Sequence, residues 1–171
     1  MTILNSKQTD IDTLFLLYEE ATNHQKKLAP KHWQGFDRQL VEIEIAEQRQ
    51  WKIVIDDEIA CVFVITFNDF QIWGEKDKDP AIYIHRIATN PKYRGLSLVK
   101  HIVAWAIDYA KSLDKQFIRM DTGSGNDKLN QYYISCGFNY LGITTLGNVD
   151  GLPKHYQNGS FSLFEIEIEA S

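Results

Sequence analysis

The sequence predicts an α/β fold whose single sheet mixes antiparallel and parallel strands, and three observations carry the prediction. Trp51 to Ile55 and Ile59 to Phe67 are apolar runs joined by Asp56-Asp57, a hairpin pattern whose second arm has the composition of a strand covered on both faces. Ala81 to Ala88 and Gln116 to Met120 read as strands flanking a long amphipathic segment, as a parallel crossover requires. Phe161 to Glu169 alternates apolar and acidic residues, as an outer strand does.

The remaining elements follow in order. Met1 to Leu4 is a short edge strand. Thr9 offers an N-cap with Asp12 three residues on, and Ile11, Leu14, Phe15, Tyr18 and Ala21 repeat at helical spacing. Pro30 marks where that helix has already ended. In Phe36 to Gln50 the alternation of Val41, Ile43 and Ile45 suggests a strand, but Glu42, Glu44, Glu47 and Gln48 are good helix formers, and helix is the expectation. Asn68 to Pro80 is a polar loop, long for its place in a compact domain. Leu98, Ile102, Val103, Ala106, Ala110 and Leu113 define the apolar side of the crossover helix. Asn126 caps a short helix that Gly137 ends, and Phe138 to Ile143 begins another strand. No internal repeat or linker divides the chain, so residues 1–171 are expected to form one domain, burying about two-thirds of the unfolded surface.

Composition narrows the function. Hydrophobic residues make up 44% and charged residues 24%, which is globular rather than disordered. The net charge of −5 and the absence of a Lys/Arg run argue against a nucleic-acid partner. Cys61 and Cys136 sit among apolar residues and form no CxxC pair, so two reduced, buried thiols are expected rather than zinc, with a disulfide between them as the alternative. No segment reaches the roughly 18 apolar residues of a membrane span, and Met1 to Asp12 is no signal peptide; a cytoplasmic protein is the expectation.

The chemistry concentrates in Asn90-Pro91-Lys92-Tyr93-Arg94-Gly95-Leu96-Ser97-Leu98, between a strand end and a helix start. The first turn of a helix has unpaired N–H groups and partial positive charge, which suits a diphosphate. Gly95 lets the backbone approach closely, Ser97 is nearly as small, and Arg94 adds positive charge. With Ile84-His85-Arg86-Ile87-Ala88-Thr89 before it, and Asn126 and Tyr132-Tyr133-x-x-x-Gly137-Phe138 after it, this stretch resembles the GNAT superfamily of acyl-CoA-dependent N-acetyltransferases. The resemblance is by motif over the C-terminal two-thirds and by order of elements over the rest.

The resemblance implies a GNAT-like fold, a mixed sheet of six to seven strands flanked by about four helices, with acetyl-CoA as coenzyme. Ile87, Ala88 and Thr89 would hydrogen-bond the pantetheine arm. The family's pyrophosphate motif has Gln or Arg, two residues, Gly, one residue, then Gly or Ala. Lys92, Gly95 and Ser97 stand at those places, so Lys92, Tyr93, Arg94, Gly95, Leu96, Ser97 and Leu98 would form the diphosphate cradle. Asn126 would touch the coenzyme, and Tyr133 matches the family tyrosine near its sulfur. The connection between the first two helices and the loop before Ala81 would line the acceptor, with Trp33, Phe36, Trp73 and Glu75 as candidates beside Tyr83.

An alkyl ammonium with a pKa near 10.4 must lose a proton before it attacks, and a departing thiolate must gain one. His85 is the candidate base, with Tyr83 or a water relay as alternatives; Tyr133 is the candidate acid. In a regular strand His85 shares a face with Tyr83 and Ile87. His24, His32, His101 and His155 are read as surface or structural. The expected reaction is acetyl transfer to a primary amine of a small molecule or peptide in a ternary complex, with no metal and no membrane, leaving a homodimer open. Two alternatives compete. One is a non-catalytic acyl-CoA sensor. The other, more distant, is an NAD-linked oxidoreductase, suggested by Gly123-Ser124-Gly125, half of a dinucleotide fingerprint.

Overall fold

The computed structural model describes residues 1–28, 32–145 and 159–169. Seven strands make one mixed sheet in the order β1-β2-β3-β4-β5-β7-β6. The chain falls into two compact units, Met1–Ile65 with His85–Leu98, and Thr66–Ile84 with Val99–Ser171.

In the first unit, β1 (Thr2–Asn5) runs antiparallel to β2 (Gln50–Ile55), and β2 runs antiparallel to β3 (Glu58–Thr66). Asp56 and Asp57 join β2 to β3 with φ of 50° and 61°. Two left-handed residues in succession are the two-residue turn that matches strand twist. Helix α1 (Ile11–Leu28) starts differently from the sequence expectation. A 3₁₀ turn, Gln8–Asp10, precedes it, and Asp10 Oδ2 accepts the Lys7 N–H at 2.8 Å. Asp12 instead lies at the surface, 3.3 Å from Arg38. The end of the helix agrees with the expectation drawn from Pro30, which itself lies outside the described residues.

The ambiguous segment is helix α2 (Arg38–Ala46), capped by Asp37, which accepts the Gln39 N–H at 3.0 Å. Val41 and Ile45, four apart, are buried while Ile43 is 47% exposed, so the apolar face has helical and not strand spacing. Ile11, Leu14, Leu17 and Tyr18 of α1 pack with Val41, Ile45 and Val62, each such side chain stabilising by about 1.5–3 kcal/mol.

In the second unit, the polar stretch 68–80 is not a plain loop. It contains α3 (Phe70–Trp73) and a 3₁₀ turn (Gly74–Lys78), because Ile72 and Trp73 are apolar anchors that bury. Strand β4 (Ala81–Thr89) begins here, with Ala81, Ile82 and Tyr83 parallel to Phe117, Ile118 and Arg119 of β5 (Phe117–Gly123). Helix α4 (Leu98–Ser112) is the predicted crossover, and α5 (Asp127–Ser135) is the predicted short helix.

Strand β7 (Ser160–Glu167) corrects a second expectation. It is not an outer strand: it pairs antiparallel with β5 on one side and with β6 (Asn139–Thr145) on the other. Its acidic residue Glu165 meets a cation, Arg119, at 2.9 Å, so the charge that looked solvent-facing is a structural partner. Both cysteines are free and buried, and burial pushes the Cys61 thiol up to about 11. Among the described residues no helix is long and apolar enough to cross a membrane.

Candidate active site

The segment after β4 is built to expose main chain. Asn90 is its anchor: its N–H donates to Ala60 O at 2.9 Å, and its side chain donates to Ile59 O and Glu58 and accepts from Lys92 N. Pro91–Tyr93 is a 3₁₀ turn with Pro at its start, where a missing N–H costs nothing. Tyr93 is buried, whereas Arg94, Gly95 and Leu96 are exposed. Gly95 and Ser97 both take positive φ, 89° and 54°. Among the described residues no backbone acceptor is found for the N–H groups of Gly95, Leu96 or Ser97. A Cβ added at Gly95 meets nothing within 4 Å, so the space over its backbone is open. Unpaired donors beside a helix start, in open space, fit a diphosphate.

Lys92, which stands where the family's motif has Gln or Arg, turns the other way. Its ammonium binds Glu58 Oε2 at 2.8 Å, beside the turn of the β2–β3 hairpin. That bond, with those from Tyr93 and Asn90, holds the Glu58 carboxyl below its ordinary range against the opposing effect of burial. His24 on α1 is depressed by burial and then by the nearby charges of Arg94 and Lys27, a positive neighbourhood beside the same loop.

Strand β4 is not regular where the site residues lie. Arg86 has φ of 49°, a left-handed conformation rare for a long side chain. The strict alternation that would put His85 and Ile87 on one face is therefore interrupted between them. The Arg86 guanidinium pairs with buried Glu44 and lies over the rings of Phe36 (4.7 Å) and Tyr18 (5.7 Å). Gln50 Nε2 completes the cluster, donating to Tyr18 Oη at 2.7 Å and Glu44 at 3.2 Å. His85, Ile87 and Thr89 are half-buried and Ala88 is buried.

Trp33 and Phe36, two candidates for the acceptor wall, come together with Tyr18 as a half-open aromatic group; the ring centroids of Trp33 and Phe36 are 5.4 Å apart. Beside them a groove of about 600 Å³ runs along α1, lined by Phe15, Tyr18, Glu19, Asn23, Gly35 and Phe36 among others. His32 accounts for itself structurally, with Nδ1 at 2.8 Å from Trp33 O. His155 lies outside the described residues.

The second unit holds the other candidates. Asn126 caps α5, accepting the Leu129 N–H at 3.1 Å. Tyr133 is 9% exposed and meets Phe164 edge-on at 5.4 Å and Phe138 at 6.3 Å. Trp73 and Tyr83 lie in the core, at 4% and 0% exposure, which leaves Glu75 as the exposed candidate of this loop, ion-paired with Lys78 at the surface. Burial and the bond to Asp77 push the Tyr83 phenol above the tyrosine range, so it is no base at neutral pH.

One group escapes a reading of the sequence. Burial, then the charges of Asp121 and Asp77, push the Asp69 carboxyl up to about 8. In the sequence Asp69 is one of several acids in a polar stretch; only the apolar pair Ile72-Trp73, which buries, hints that it is drawn inward.

Comparison with known proteins agrees with this geometry. The chain is 27% identical over 119 residues to YesJ of Bacillus subtilis, an uncharacterized N-acetyltransferase; the match spans 67% of this chain and 59% of that protein's length. A GNAT-family acetyltransferase from Listeria monocytogenes superposes with a TM-score of 0.76 at 23% identity, covering 98% of this chain and 94% of the other. YncA of Salmonella typhimurium, a putative acetyltransferase solved with acetyl-CoA, superposes with a TM-score of 0.70 at 12% identity, over 100% of this chain and 95% of that one. Residues 14–138 match the Acetyltransferase (GNAT) family, and the chain, in which Gly123-Ser124-Gly125 leads from β5 toward α5, is a member of that family.

Proposed function

We propose that this protein transfers an acetyl group from acetyl-CoA to a primary amine of a small molecule or peptide, by direct attack in a ternary complex. The observation that carries this reading is the row of N–H groups at Gly95, Leu96 and Ser97, without backbone acceptors among the described residues and with open space over Gly95. They and Arg94 would hold the diphosphate, Leu98 lies at the helix start behind them, and the main chain of Ile87 to Thr89 would hold the pantetheine arm. Acetyl-CoA, when bound, supplies an activated acyl thioester.

The chain's own residues then divide the proton work. His85 takes the proton of the acceptor ammonium; Asp69, whose carboxyl is raised to about 8, is a second candidate for that task. The N–H groups at the end of β4 are the donors for charge on the acyl oxygen. Tyr133 supplies the proton for the sulfur, a modestly uphill transfer from a pKa of about 10 to one of about 8.5. The groove along α1 supports a cationic acceptor, because Glu19 lines it together with the rings of Phe15, Tyr18 and Phe36.

Coenzyme A titration and a thiol-release assay over polyamines, amino acids, aminoglycosides and peptides test the reading. Gly95→Glu puts a carboxylate against the diphosphate and is expected to abolish coenzyme binding; unchanged affinity would remove the cradle. Tyr133→Phe should lower turnover by about 10²-fold or more while affinity stays. Tight coenzyme binding with no thiol release from any acceptor would point instead to a sensor.

A further inference from the structure

Glu58 is the first residue of β3 and sits directly after the Asp56–Asp57 turn. Its two carboxylate oxygens receive donors from three successive parts of the 90–93 segment. Asn90 Nδ2 donates to Oε1 at 3.1 Å, while Lys92 Nζ at 2.8 Å and Tyr93 Oη at 3.1 Å donate to Oε2. Tyr93 Oη also approaches Ile55 O at 3.5 Å, on the other arm of the hairpin. A carboxylate has about four lone-pair sites, and this one spends three of them on a single short segment.

The strength of the arrangement is not Coulombic. The Glu58 and Lys92 side chains are 42% and 67% exposed, where an ion pair is worth little. What the carboxylate fixes is shape. Residues 90, 92 and 93 are pinned to the turn end of one hairpin, so the next residues leave it in one direction. Arg94 donates back to Pro91 O at 3.3 Å, and Gly95 and Ser97 then turn with positive φ. Donors pre-set for an anion bind it without the entropy cost of ordering a loop.

We propose that Glu58 is a positioning residue for the coenzyme cradle, holding the 90–98 loop in its binding shape through Asn90, Lys92 and Tyr93, and that Lys92 is a strut to Glu58 rather than a phosphate ligand. This rests on the acetyl-CoA reading above and adds to it a residue from outside the motif. Sequence alone gives Glu58 no role, because it lies in a hairpin more than thirty positions upstream of its partners.

The test is a double-mutant cycle read by coenzyme A titration, with steady-state kinetics of each variant. Glu58→Ala is expected to weaken coenzyme A binding about tenfold and to raise KM for acetyl-CoA alike, with kcat within about twofold of the parent. Glu58→Gln, which keeps acceptors for Asn90 and Tyr93, should recover part of the loss. The double variant Glu58→Ala/Lys92→Met should bind no more weakly than Glu58→Ala. A further loss in the double variant would show Lys92 reaching the phosphates independently and would overturn the strut. Unchanged affinity in Glu58→Ala would overturn the positioning role. A general loss of stability would lower kcat per mole or the melting temperature without this selective shift in KM, and that pattern also counts against the proposal. Gly95→Glu in the same series separates the two levels: if it too binds normally, the cradle itself is wrong, whereas if it alone fails to bind, only the role of Glu58 is lost.

Discussion

Each unit of the molecule buries an arginine, and the two are held in opposite ways. Arg119, in the second unit, is 1% exposed, and each of its three nitrogens has a partner. It donates to Glu165 at 2.9 Å, Asp79 at 2.7 Å, Lys76 O at 2.7 Å and Tyr83 Oη at 3.2 Å, with Trp73 and Phe117 stacked 4.7 Å from its centre. Arg86, in the first unit, pairs with Glu44 and lies over two aromatic rings, from a backbone in the left-handed region. A buried charge bonded at each of its nitrogens is architecture. A long side chain held at positive φ costs of order 1–3 kcal/mol and persists where its surroundings over-determine it, which is commonly beside functional groups. Arg86 directly follows His85 and precedes the main chain proposed to hold the coenzyme.

Three variants sharpen or break this contrast. The largest effect is expected for Arg119→Met. It strands Asp79 and Glu165 and should cost about 4 kcal/mol in denaturant unfolding, while turnover per folded molecule is kept. A loss below about 1 kcal/mol would mean that the network is decorative.

Arg86→Met should cost less stability, about 2 kcal/mol, because Glu44 keeps the Gln50 amide at 3.2 Å. Its turnover should nevertheless fall at least about tenfold, because the displaced donors at the end of β4 are electrostatic ones. Equal turnover in the two variants would erase the distinction between them.

The last variant concerns the raised carboxyl of Asp69. Asp69 titrates near 8 when folded and from an ordinary value of 3.8 when unfolded, so the folded state holds its proton longer. Its contribution to stability is present below about pH 4 and is lost as pH rises toward 8. Asp69→Asn should flatten that part of the melting-temperature profile. A profile identical to the parent's would show that the carboxyl titrates normally.

How much of this was legible in the sequence depended on the range of the interaction. Strand–helix–strand around the 90–98 segment could be read because hairpin turns, caps and amphipathic spacing are local; Asn126 capping α5 is an example. Helix α2 could be chosen over a strand from propensity, and burial of Val41 and Ile45 gives the reason. Three things could not be read. The position of β7 between β5 and β6 depends on a distant pairing, from Gly123↔Phe161 to Phe117↔Glu167, and Glu165 reads as a solvent charge without Arg119 opposite it. The left-handed Arg86 has no local signature, because nothing in Ile84-His85-Arg86-Ile87 announces a break in the alternation. The cap at Asp10 was missed by two residues because Thr9 and Asp12 offered a plausible rival. In the candidate site the motif pointed to the loop, but it could not show that Lys92 faces Glu58.

The interior place of β7 also sets an order of events. Strand β6 pairs with β7, the next described strand in sequence, but β7 must also bridge to β5, and that side of the arrangement cannot be completed from residues close in sequence. The ladder Phe117↔Glu167 to Gly123↔Phe161 closes only after a long stretch of chain has been brought round, and such non-local pairing is slow. Until then β5 presents one unpaired side and Arg119 lacks Glu165. The second unit should therefore be the late step in refolding, and the interval before β7 docks is when an exposed strand edge is open to association with other chains.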